Sequence, residues 1–227
     1  VFLEEELARG MPRAKFMQEY HVSWDTIHEG SYYESYLNDL ENQGRMAPLS
    51  VQTGLPVHTA WDIGTGDNTA IWFFQILPNG NINIIDFYLN NGTQMEESGE
   101  EVIGVEHYIK ELKKRNYMYG DHFAPHDIQG REWISGMTQW SLAHSLGFTF
   151  RVLKKARLDD GICMARATLS RCFFDKQKCA NGLSALRSYK RKFNDDLQRY
   201  DDTPLHDWAS DAADAFRYLA QAVALLS

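Results

Sequence analysis

Four aspartates stand where an acid is out of keeping with its surroundings. Asp62 closes the run Val57-His58-Thr59-Ala60-Trp61-Asp62-Ile63, and Gly64-Thr65-Gly66 follows it. A carboxylate at the end of an apolar run is costly to bury unless it is paired or metal-bound. Asp127 follows Pro125-His126, which ends another strand-like run. Asp211 and Asp214 are spaced i, i+3, so they share one face of a helix. Asp214 sits between Ala213 and Ala215. Clustered carboxylates hold hard divalent cations, and oxygen ligands with retained water suit Mg²⁺ or Mn²⁺. Two such ions, about 4 Å apart, would activate a water and stabilise the leaving oxygen of a phosphodiester. The expected catalytic and metal-binding set is therefore Asp62, Asp127, Asp211 and Asp214. Asp67, Asp121 and Asp207 are auxiliary candidates. Plainer roles compete: a turn cap for Asp62 and Asp67, a surface loop for Asp121 and Asp127, and the helix dipole for Asp211.

The elements that must position these acids can be read from the pattern. Val57 to Ile63, Thr69 to Leu77 and Ile82 to Leu89 read as three strands. Turn signals separate them, notably Pro78-Asn79-Gly80-Asn81. A helix is expected from Glu97 to Arg115, with Val102, Val105, Ile109 and Leu112 on one face. Tyr117 to Ala124 is a fourth strand, Thr138 to Ser145 a helix ending at Gly147, and Phe148 to Leu153 a fifth strand. The stretch from Lys154 to Thr203 reads as basic and helical, broken at Asn181-Gly182. Asp211 to Leu226 is a strong helix. The order βββαβαβ, then a helix, is the ribonuclease H-like order. It implies a mixed α/β sheet, an antiparallel three-strand meander plus parallel strands, flanked by helices. In such a sheet the ends of strands one and four and the start of the last helix converge. Residues 1–50 are expected to form a segment that packs on a ribonuclease H-like domain of residues 51–227. Within that segment, Glu4 to Arg13 and Ser31 to Asn42 look helical.

Composition bounds the class. With 227 residues, 44% hydrophobic and 13% aromatic, the chain can bury a core and is not a disordered polymer. No apolar run approaches the roughly 20 residues that cross a bilayer, and no signal peptide opens the chain. Val1 in place of an initiator Met suggests a piece of something longer. The three cysteines, Cys163, Cys172 and Cys179, are expected to be free thiols in a reducing compartment. The net charge of −8 argues against a tight non-specific nucleic-acid binder. Basic residues nevertheless gather after the fifth strand. Lys154, Lys155, Arg157, Arg187, Lys190 and Arg191 are candidates for holding a phosphate backbone. A solvated helical face is the alternative.

Three stretches carry a resemblance: Trp61-Asp62-Ile63-Gly64 with Asp67 and Thr69-Ala70; Pro125-His126-Asp127; and His206-Asp207-Trp208-Ala209-Ser210-Asp211-Ala212-Ala213-Asp214-Ala215-Phe216-Arg217-Tyr218. Together they resemble the nuclease part of tailed-phage terminase large subunits. Phe16-Met17-Gln18-Glu19-Tyr20 resembles the segment that follows the motor domain in that family. The last stretch also resembles the acidic helix of Holliday-junction resolvases. The resemblance implies metal-dependent endonucleolytic cutting of concatemeric double-stranded viral DNA in the host cytoplasm during packaging. It further implies a motor ATPase domain in the same polypeptide, and a portal and a small terminase subunit as partners. No membrane is involved. Relatives often carry His where Asp211 stands, which leaves open whether Asp211 or Asp214 is the principal ligand. Asp121 and Asp127 stay open in the same way. No Gly-Lys dipeptide occurs, so the chain has no Walker A loop. Asp62-Ile63-Gly64-Thr65-Gly66 also looks like the phosphate loop of actin and sugar-kinase ATPases, which need a second domain and loop. A non-catalytic docking module of a packaging motor is a third reading; it leaves the four aspartates without a purpose.

Overall fold

The computed structural model describes residues 30–64, 68–90, 93–96, 99–102, 104–130 and 138–226. The expected features at Glu4 to Arg13 and Phe16 to Tyr20, and Asp67, lie outside these residues. Helix α1 (Glu34–Asn42) comes first, with Ser31 Oγ accepting from the Glu34 N–H. Strand β1 (Met46–Ala47) is short. The meander follows: β2 (Val57–Ile63), β3 (Thr69–Ile76) and β4 (Ile82–Asn90). Its turn uses Gly80 at φ 82°, a backbone conformation that glycine adopts without strain. Next are β5 (Thr93–Glu96), β6 (Gly99–Val102), α2 (Val105–Lys114) and β7 (Tyr119–Ala124). A 3-10 turn over His126–Gln129 leads to α3 (Gln139–Ser145) and β8 (Phe150–Val152). Thr138 and Ser141 form a reciprocal capping box at the start of α3.

With β9 (Cys172–Asp175), the sheet has seven strands in the order β1-β9-β4-β3-β2-β7-β8. β2, β3 and β4 pair antiparallel, and β7 and β8 run parallel to β2. This is the ribonuclease H-like arrangement. Both faces are covered, which is why the central strands read as continuous apolar runs. Ala60, Ala70, Trp72 and Phe74 face one core with the last helix. Trp61, Ile71, Phe73 and Ile85 face the other, against Tyr108, Ile109 and Leu112 of α2. Tyr33, Leu37 and Leu40 of α1 belong to the first core.

Three expectations need correction. The helix expected from Glu97 begins only at Val105; β5 and β6 pair as a hairpin, Thr93 opposite Val102. Gly104 in extended conformation separates the hairpin from the helix, so Val102 is a strand residue rather than part of the helical face. The stretch from Lys154 to Thr203 is not all helix. It holds α4 (Leu158–Leu169), β9 (Cys172–Asp175), α5 (Ala180–Ser188), and a hairpin of β10 (Arg191–Asn194) and β11 (Arg199–Pro204). β9 is only four residues long and inserts between β1 and β4, a tertiary pairing with no local signal. The third correction concerns Gly182, which is inside α5 rather than at a break. A Cβ there would lie 2.3 Å from Trp72 Cη2 and 2.8 Å from Phe87 Cγ. Gly182 is thus the gap that receives the Trp72 ring. Gly182→Ala should lose about 1–3 kcal/mol through overpacking, even though alanine gains about 1 kcal/mol of helix propensity. A urea denaturation midpoint unchanged or higher would refute this packing role.

The last helix, α6 (Ser210–Leu226), crosses the first face. Its first turns are alanines, which let it approach closely: Ala209, Ala212, Ala213 and Ala215 are fully buried. Trp72 Nε1 donates to the Ala212 carbonyl at 2.9 Å and fixes the start of the helix over β3.

Candidate functional site

Side chains alternate along a strand, so Asp62 shares the face of Ala60. That face is the one covered by α6. In register, Asp62 pairs with Ala70 on β3, next to the strand end nearest Thr69. The start of α6 is anchored through Trp72, two residues further on. Asp62 is therefore brought under the first two turns of α6, where Asp211 and Asp214 sit. β7 runs parallel beside β2, with Thr59 level with His122 and Ala60 with Phe123. Its continuation, Pro125 into the 3-10 turn, brings Asp127 to the same sheet end.

The electrostatics match this placement. Asp62 is partly buried, and its carboxyl is pushed well above the usual carboxylate range. Burial is the largest cause; the charges of Asp214, Asp211 and Asp127 follow, and Arg217 opposes them. Tyr218 of α6 is also raised, by burial and then by Asp62 and Asp214. The charges of three carboxylates, one from the turn after β7 and two from α6, thus reach Asp62 on β2.

Each acid has its own setting. Asp127 is exposed. Asp211 accepts from Asn68 Nδ2 at 2.8 Å, which ties the turn before β3 to α6. Asp214 is paired with Arg217, whose Nε lies 3.2 Å from Oδ1 and whose Nη2 contacts the same oxygen. The sequence offered no partner for Asp214 among its alanines, yet Arg217 sits three residues on, at helical spacing. Arg217 and Tyr218 are site residues that sequence reasoning passed over, although both lie in the quoted C-terminal stretch.

The auxiliary acids separate. Asp207 caps α6: its Oδ1 accepts from the Ala209 N–H at 2.9 Å, and its own N–H donates to Ser210 Oγ at 3.0 Å. Asp121 is level with the start of β2, and is paired with Arg151 at 2.7 Å, with its N–H donating to His58 Nδ1. It is not brought to the other acids.

Beside the acids runs a groove of about 290 Å³, lined in part by His126, Lys154, Lys155, Arg217, Tyr218 and Gln221. Arg157, exposed, occupies the position just before α4 at the end of the same loop. The other basic candidates lie elsewhere. Arg187 binds Asn38 Oδ1 and Glu41 Oε2, joining α5 to α1. Arg191 packs over the Tyr32 ring, and exposed Lys190 bridges to Ser31.

All-oxygen, like-charged donors suit a hard divalent cation, which would relieve the repulsion at Asp62. Among the described residues, no group of three or more His, Cys, Asp or Glu is close enough to cage an ion. An open site with few carboxylates is the usual one for Mg²⁺, which retains water and borrows phosphate oxygens. In chemistry, oxygen-only and like-charged, the donors are of the kind such an ion takes. No helix among the described residues is long and apolar enough to cross a membrane.

No family model and no curated protein matches the chain. Solved structures do. The large terminase of the thermophilic bacteriophage D6E aligns with a TM-score of 0.62 at 18% identity, over 86% of this chain and 45% of that one. The P22 large terminase nuclease domain aligns at 0.54 and 16% identity, over 78% of this chain and 85% of its own. The large terminase nuclease from thermophilic phage G20c aligns at 0.51 and 11% identity, over 86% and 98%. The chain has the fold of these nuclease domains, and spans less than half the length of the D6E protein.

Proposed function

We propose that the chain is the nuclease domain of a phage terminase large subunit, a metal-dependent endonuclease that cuts double-stranded DNA concatemers during genome packaging. The observation that carries this reading is Asp62, raised by burial and by Asp214, Asp211 and Asp127, in a fold shared with terminase nucleases. Asp62, Asp127, Asp211 and Asp214 would hold Mg²⁺ or Mn²⁺ as a pair of ions. When bound, the ions supply charge that polarises the scissile phosphodiester and its attacking water. The chain's own residues do the rest. Lys154 and Lys155, exposed on the groove, meet the phosphate backbone beside the acids. Arg157 extends that positive edge. Arg187 and Arg191, engaged with Glu41 and Tyr32, contribute less to DNA binding.

The chain covers less than half of the D6E large terminase, which is also solved with ADP and with ATP-gamma-S, and this supports a motor ATPase domain in the same polypeptide. Portal and small terminase subunit as partners in the host cytoplasm belong to the same proposal. A motor that grips DNA explains how an acidic nuclease domain tolerates weak affinity of its own. Supercoiled plasmid incubated with the protein should be nicked and linearised with Mg²⁺ or Mn²⁺, with little sequence preference. EDTA should stop it. Undiminished cutting in EDTA would overturn the mechanism.

A further inference from the structure

Arg217 is a basic side chain drawn into an acidic centre. Its side chain is only 11% exposed. An Asp–Arg pair at i, i+3 on an open helix face is weakly stabilising and needs no burial. Here burial is built in. The arginine stem passes Gly161 of α4, where a Cβ would lie 3.4 Å from both Cδ and Nη1. The guanidinium lies 5.9 Å from the centroid of the Tyr218 ring. Both of its contacts to Asp214 fall on the same oxygen, Oδ1. Oδ2 receives neither.

The geometry points to Arg217 as a positioning residue that pins Oδ1 of Asp214 and turns Oδ2 toward the divalent cation, with its stem packed along α4 at Gly161. This rests on the nuclease reading above. Groups that hydrogen-bond a metal-ligating carboxylate orient it, and their loss lowers metal affinity. A simple counter-charge would do the opposite, because removing a positive charge draws a cation more tightly to the remaining acids. The sign of the change therefore separates positioning from mere charge balance.

The test is calorimetric titration of Mn²⁺ into the full chain without DNA, alongside plasmid cutting. The expected result is about tenfold or more weaker Mn²⁺ binding in Arg217→Met, with part of it recovered in Arg217→Lys. Gly161→Val leaves the arginine in place but crowds its stem, so it should weaken Mn²⁺ binding in the same direction. Gly161→Ala, for which the space suffices, should bind Mn²⁺ and cut like the parent. If Arg217→Met misfolds, the two Gly161 variants decide the matter. Mn²⁺ bound as tightly or more tightly in Arg217→Met or Gly161→Val would overturn the positioning role while leaving the nuclease reading intact. A parent chain that binds no Mn²⁺ would overturn both.

Discussion

Asp62→Asn is expected to abolish metal-dependent cutting and to raise the melting temperature of the metal-free protein. Both effects come from one cause. The folded chain holds this carboxyl partly buried and within reach of the charges of three other aspartates, so its charged form is disfavoured. Asparagine keeps the shape and removes the charge. The lost charge is what a divalent ion requires, and activity should fall by more than the roughly 100-fold that even outer-shell partners of metal ligands cost. The pH dependence has a definite sign. A carboxyl raised in the fold is protonated more readily folded than unfolded. Its stabilising contribution is complete below the ordinary carboxylate range and is lost as pH rises through its raised value. Without metal, the parent should therefore lose stability relative to Asp62→Asn as pH rises above the ordinary carboxylate range. Saturating Mn²⁺ should reverse that order, because binding favours the ionised carboxylate. Melting curves at three pH values, with EDTA or Mn²⁺, read all of this. A large fall in melting temperature for Asp62→Asn in EDTA would make Asp62 a turn cap, and the site would lose its centre.

The central strands were legible because both sheet faces are buried. Runs such as Thr69–Ile76 carry apolar residues toward two cores, and turn residues bracket them. Asp62 stood out for the same reason, as an acid ending such a run. α6 was legible from its length and its alanines. What escaped was tertiary in origin. β9 is four residues whose strand character comes from pairing with β1 and β4. Gly182 looks like a helix break until Trp72 is seen to fill its space. The β10–β11 hairpin alternates charged residues that suit a solvated helix equally well, and Gln198 at φ 48° makes the reversal without glycine or proline. Within the candidate site, spacing could place Asp211 and Asp214 on one face, but not their partners. Asn68 reaches Asp211 across 143 positions, and Asp207 proves to be the cap of the helix. The basic cluster was legible only as composition. The fold divides it between the groove at Lys154 and Lys155 and the α1–α5 contact at Arg187.

Asp214→Asn should remove most of the activity, and Asp211→Asn should have a smaller or comparable effect. The structure gives both acids a structural partner, so stability must be measured beside activity. Asp211 meets the Asn68 amide at 2.8 Å, and an asparagine there can still accept that hydrogen bond through its carbonyl oxygen. Its melting temperature should barely move. Asp214 pairs with Arg217, whose side chain is 11% exposed against 31% for the aspartate. Neutralising Asp214 leaves a largely buried guanidinium without its counter-charge, which costs about 1–3 kcal/mol after allowing for the partial exposure. Asp214→Asn should thus be both inactive and measurably less stable. The two losses can be separated. Mn²⁺ titration well below the melting temperature reports on ligation in folded protein alone. Asp214→Asn should then bind Mn²⁺ far more weakly than the parent, and Asp211→Asn should retain more of the affinity. If Asp214→Asn binds Mn²⁺ and cuts while Asp211→Asn does neither, Asp211 is the principal ligand and Asp214 serves Arg217. If both variants bind and cut like the parent, the first turns of α6 are not part of the site, and the acids at Asp62 and Asp127 cannot make a nuclease centre by themselves.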